Sequence, residues 1–96
     1  MFSHTVLFEI APKEFPVYRR DCKMWARYAS KAKGFIAFFI MKRVDYKNQY
    51  ASVYQWKTKT SHDRFMKEFH DWLASRSKSR VKVLSCYNLG AAYHIS

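Results

Sequence analysis

From Phe35 to Arg43 the chain is almost unbroken apolar (FIAFFIM, then Lys42 and Arg43), the pattern of a strand covered on both faces. From Gln49 to Trp56 it alternates instead. Tyr50, Ser52, Tyr54 and Trp56 share one parity, and Ala51, Val53 and Gln55 share the other. The short polar run Asp45-Tyr46-Lys47-Asn48 between them predicts a hairpin turn. Phe2 to Ile10 also alternates, with His4, Val6, Phe8 and Ile10 set against Ser3, Thr5, Leu7 and Glu9.

Two stretches change to helical spacing. After the break at Ala11-Pro12-Lys13, Glu14 and Pro16 suit a first helical turn. Phe15, Tyr18, Cys22, Trp25, Ala29 and Ala32 then recur every three or four residues, and Gly34 is expected to end the helix. A second helix is predicted with Thr60 or Ser61 as its cap and Asp63 in its first turn. Its stripe is His62, Phe65, Met66, Phe69 and Leu73, with Trp72 beside it. Ser75 to Ser79 reads as a frayed helix end or a linker. Val81 to Ile95 reads as a last long strand, bent at Gly90.

The order β-α-β-β-α-β over residues 1–96 predicts one α+β domain, ferredoxin-like, with an antiparallel sheet. Helices then cover one sheet face only. The other face carries large side chains of FIAFFIM, an exposed patch that predicts a homodimer sealed through the sheets.

Composition narrows this picture in a few places. With 49 % hydrophobic residues and two each of Gly and Pro, disorder is excluded. No run approaches the ~18 apolar residues of a membrane span, so no membrane partner is expected. The N-terminus lacks a basic-then-apolar signal pattern, which predicts a cytoplasmic protein. Cys22 and Cys86 fit no metal or redox spacing and read as reduced, packed thiols. The net charge of +11 suits an anionic ligand, nucleic acid or simply a solvated basic surface. The seven acids form no catalytic pair, and His4, His62, His70 and His94 have no metal-ligand spacing. His4 and His94 are read as structural, and no metal is expected.

Gly34-Phe35, a hairpin ending in Trp56 and a Ser/Thr-capped helix carrying Phe65 resemble the antibiotic biosynthesis monooxygenase family, over essentially the whole chain. The resemblance implies a dimeric α+β barrel with a pocket between sheet and helices in each protomer. It implies a cofactor-independent monooxygenase acting on a small aromatic, polyketide- or quinol-like and in some cases anionic. For that chemistry Trp56 matches a pocket tryptophan, His62 is a candidate base and Arg76 aligns with a helix arginine. Ser52 stands where an asparagine is expected. Trp25, Phe65, Phe69 and Trp72 are the candidate substrate-binding residues.

Two alternatives come from other readings of the same residues. Haem-degrading relatives use an Asn, a Trp and a His, and the matching positions here hold Leu7, Phe65 and Ser75. Haem binding therefore needs a shifted arrangement through His70 and Trp72, with the basic charge receiving the propionates. Lys33 to Phe39 (KGFIAFF) also resembles the box of an RNA-recognition motif. That box belongs on a third strand, whereas here it follows the first helix, which argues against nucleic acid. Tyr50, Tyr54 and Trp56 are the third-strand aromatics that would have to stack bases.

Overall fold

In chain order the computed structural model contains β1 (Phe2–Glu9), α1 (Phe15–Ala29), β2 (Phe35–Lys42), β3 (Gln49–Trp56), α2 (Lys59–Arg76) and β4 (Lys82–Gly90). It describes residues 1–93 and residue 95. A 3-10 turn, Pro12–Glu14, leads into α1, and Pro16 sits in the first turn where its missing N–H costs nothing. The strands form one sheet in the order β2-β3-β1-β4, and every neighbouring pair is antiparallel. This is the ferredoxin-like α+β arrangement that the two periodicities predict.

Some boundaries differ from the sequence pattern, each for a local reason. Helix α1 stops at Ala29, and the Ser30 N–H donates to the Ala26 carbonyl at 2.8 Å to close it. Ala32 therefore lies in a turn, and Gly34, at φ +87°, pivots the chain into β2 rather than capping the helix directly. Helix α2 starts earlier than Thr60 because Thr58 caps it, its Oγ1 accepting the Ser61 N–H at 3.1 Å. Strand β4 ends at Gly90, which pairs with Phe2, the first residue of β1, and the Ala91 N–H reaches Met1 O at 2.9 Å. His94 lies outside the described residues. Cys86, expected to be packed, is exposed on the edge strand β4; Cys22 is buried as expected.

The helices pack on one sheet face and divide its core into two clusters. One joins Phe2, Ala29, Trp56, Phe65 and Leu73; the other joins Ile10, Tyr18 and Cys22. The opposite face has no helix. Across it runs the row Phe39, Val53, Thr5, Tyr87, set by the three strand registers. Met41, Tyr87 and Leu89 on that face are half exposed or more. The box-like run Lys33 to Phe39 spans the turn before β2 and the first half of β2, an edge strand. Tyr50 and Tyr54 turn to the helices: Tyr50 packs on Phe15 at 4.6 Å, and Tyr54 packs against the Trp56 and Phe65 cluster. The open face thus lacks Tyr50 and Tyr54, the third-strand aromatics that the base-stacking reading needs. None of the helices among the described residues is long and apolar enough to cross a membrane.

Candidate functional site

Between the two core clusters, under the helices, lies a cavity of about 350 Å³. Strands β1 and β3 form its floor, and α1 and α2 form its walls. Its rim is the segment after α2, which a buried carboxylate fastens. Asp21 accepts the backbone N–H of Lys78 at 3.1 and 3.0 Å and that of Ser79 at 2.8 Å. Beside it the Trp25 indole N–H donates to Ser77 Oγ at 2.8 Å, and that hydroxyl donates to Leu73 O at 2.9 Å. The polar run Ser75 to Ser79 is therefore the end of α2 followed by a tied strap.

The Thr58 cap fixes the register of α2 so that His62 points inward one turn before Phe65. His62 is buried, with its ring 4.6 Å from that of His4, 5.1 Å from Phe2 and 6.0 Å from Trp56. Its Nδ1 is buried and makes no hydrogen bond. Burial, reinforced by His4, pulls its pKa from 6.5 to about 4, so the ring is neutral at pH 7. Nearby Asp63 opposes the shift and Lys59 adds to it.

This burial has a measurable effect on folding. Between pH 6.5 and about 4 the unfolded chain takes a proton at this ring that the folded chain refuses. Stability is therefore unaffected above that window and falls as pH drops through it. By linkage the loss is about 2 kcal/mol between pH 7 and pH 5. Urea denaturation at the two pH values measures it. His62→Gln should flatten that slope, and a wild-type protein equally stable at both values would contradict the burial.

Two further residues lining the cavity carry buried polar atoms without partners. The Tyr18 hydroxyl, from α1, is buried beside the polar side chains of Cys22 and Ser52 and has no well-formed hydrogen bond. Burial, then Cys22, raises the Tyr18 pKa, and burial lifts the Cys22 thiol to about 11. Burial also raises Tyr54. These groups are protonated donors at pH 7. The Trp56 Nε1–H is the third orphan. Buried polar atoms ordinarily have partners. Three without them around one cavity mark a place where a ligand or water completes the bonding.

Of the residues singled out in the sequence, His62, Trp56, Trp25 and Phe65 meet at this cavity. The other three do not. Phe69 packs beyond Phe65, 5.3 Å from it, and against Tyr28 at 5.6 Å, in a separate depression. Trp72 and Arg76, one turn apart, lie on the outer side of α2. Trp72 meets Tyr28 edge-on at 5.1 Å, and the Arg76 guanidinium sits 4.4 Å over the indole. Arg76 thus satisfies itself outside the cavity. Conversely His4, read as structural, touches His62, and its Nδ1 lies 2.7 Å from Asn88 Oδ1. Its shared parity with Val6 and Phe8 was the available signal. Tyr18, Ser52 and Tyr54 were likewise on the inward stripe or parity without being named among the candidate site residues.

The haem triad positions do not converge. Leu7 belongs to the open face, Phe65 offers no ligating atom, and Ser75 is exposed, its hydroxyl donating to Trp72 O at 2.6 Å. His70 does reach the cavity rim, against Trp25 at 5.7 Å, but Trp72, its companion in a shifted arrangement, faces outward. The residues present do not fit haem. Among the described residues no cluster of three or more His, Cys, Asp or Glu is arranged to hold a metal ion.

No protein-family model matches this chain, and no curated protein does. Solved structures do match. A point mutant of SnoaB, a cofactor-independent oxygenase from Streptomyces nogalater, superposes with a TM-score of 0.75 at 13 % identity, covering 98 % of this chain and 95 % of its own. A "putative antibiotic biosynthesis monooxygenase" from Nitrosomonas europaea gives 0.71 at 13 % identity, covering 97 % of this chain and 100 % of its own. MupZ from Pseudomonas fluorescens gives 0.74 at 9 % identity, covering 91 % and 69 %. The chain has the fold that the antibiotic biosynthesis monooxygenases adopt, as the sequence resemblance implied. At such identities the likeness establishes fold alone.

Proposed function

We propose that the protein is a cofactor-independent monooxygenase for a small aromatic substrate of the quinol or hydroxyanthrone type, bound between sheet and helices. One observation carries this reading: a neutral, buried histidine with a free nitrogen lines the same aromatic cavity as two residues with unpartnered donors. The fold's occurrence in a protein described as a cofactor-independent oxygenase supports it.

In this mechanism His62 accepts the phenolic or enolic proton. A histidine with a pKa of about 4 is by itself a poor match for a phenol near ~10. Proton and anion are created side by side in a desolvated pocket, however, and their attraction offsets much of that gap. Tyr18 and Trp56 donate to the developing oxyanion. The electron-rich ring carbon passes one electron to O₂, and the two radicals combine into a C–O bond. The peroxide anion takes the proton back from His62, and the hydroperoxide, on a carbon that still bears a hydrogen, loses water to leave a carbonyl there. One oxygen atom stays in the quinone product; the other leaves as water with two substrate hydrogens.

Oxygen uptake by the purified chain, with a hydroxyanthrone and a naphthol unsubstituted para to its hydroxyl offered in turn, tests this. Uptake matching quinone formation one to one is expected. It should fall by about 10²-fold or more in His62→Gln, the usual scale for a lost general base. Uptake no faster than spontaneous oxidation with either substrate would rule the reading out.

The open sheet face is proposed to close against a second copy. Phe39, Met41, Tyr87 and Leu89 are a large wet patch for a monomer. A homodimer interface of ordinary size would cover it. Light scattering should give about twice 11.5 kDa, and Met41→Glu should shift it toward 11.5 kDa. A wild-type mass of one chain at micromolar concentration would exclude the dimer.

A further inference from the structure

On the far side of Phe65 from the proposed catalytic cavity lies a second depression of about 280 Å³. Its wall is apolar and aromatic, made by Tyr28 and Phe69 with rings 5.6 Å apart. Its mouth is cationic. Lys31 and Lys33 come from the turn after α1, and Arg64 comes from the second turn of α2. Glu68 is the single carboxylate in the lining. Among the described residues none of the three cations is in an ion pair, in contrast to Lys59, which is held by Asp63 at 2.7 Å. Three free cations around an aromatic wall favour a ligand with both features, since Arg grips an anion directionally while a flat ring covers Phe69 and Tyr28.

We infer that this depression is a second binding site, for a small aromatic molecule carrying one anionic group. Its volume, at the small end for ligand sites, limits the occupant to one or two fused rings. A nucleic acid is a poorer match, because the cations surround a recess and do not form a track along a backbone. The site has none of the buried orphan polar atoms of the larger cavity, so it binds without doing chemistry. The inference is independent of the oxygenase reading, because no residue of the proposed mechanism takes part.

Titration of the full chain with naphthoate, followed by amide NMR shifts, tests it. Saturable shifts are expected at Lys31 to Lys33 and Ser61 to Arg64. The affinity should drop about tenfold in Arg64→Gln, a single charge-assisted contact's worth, and stay unchanged in His62→Gln. Naphthalenemethanol, the neutral analogue, should cause no saturable shift at those amides. Shifts confined to His4, Ser52 and Tyr54 would overturn the inference. So would equal binding of the neutral analogue, or an Arg64→Gln protein that binds as tightly as the wild type.

Discussion

Trp56→Ala is expected to destabilise the fold by about 3–5 kcal/mol, enough to unfold much of a domain this size at room temperature. Trp56 is wholly buried where β3 ends. Its ring packs 5.5 Å from Phe35 and 5.3 Å from Phe65, so truncation opens a cavity between sheet and α2. Trp56→Phe separates this packing from the indole's chemistry. It keeps most of the ring and removes an N–H that has no partner in the protein. Stability should change by less than about 1.5 kcal/mol, while affinity for an oxyanionic substrate falls by about tenfold. Urea melts and substrate titrations of both variants measure the two effects. A Trp56→Phe protein binding substrate as the wild type does would reduce Trp56 to a core residue.

The second large effect is expected at Gly34. Its φ of +87° is a conformation that side-chain-bearing residues adopt only under strain. A Cβ there would also stand 2.6 Å from the Ser61 Cβ, well inside contact distance. The turn cannot yield easily, because the Lys57 N–H donates to Gly34 O at 2.7 Å and ties the start of β2 to the end of β3. Gly34→Ala should cost about 3 kcal/mol, from backbone strain and overpacking together. Adding Ser61→Gly removes the clash but not the strain, so the double variant should recover part of the loss. A Gly34→Ala midpoint in urea close to the wild type would mean that the turn relaxes freely.

The architecture was legible because the chain states its periods plainly. The alternation around His4 and around Tyr54, and the stripes through Tyr18 and Phe65, place each side chain on the correct face. Element ends were less legible. Thr58 rather than Thr60 caps α2, since both residue types suit the role and only the Ser61 N–H decides between them. The site was legible as far as one helix or strand could show it, which includes His62, Trp56, Trp25 and Phe65. What joins those residues is long-range. His4 reaches His62 only through the β1–β3 pairing under α2, and Asp21 finds its amide partners 57 and 58 residues further along the chain. No local pattern encodes such meetings. Trp72 was singled out beside the stripe, and Arg76 by the family resemblance. A rotation of one residue along α2 is enough to send both outward.

In the proposed mechanism buried His62 takes a proton from an aromatic substrate inside the cavity. Absorbance of a hydroxyanthrone bound under strictly anaerobic conditions at pH 7 reads that proton directly, before oxygen can act. The wild-type protein should show the anion's band as a minor component, because the ion pair offsets only part of the pKa gap, and His62→Gln, at matched occupancy, should show none. Identical spectra in the two proteins would contradict the account.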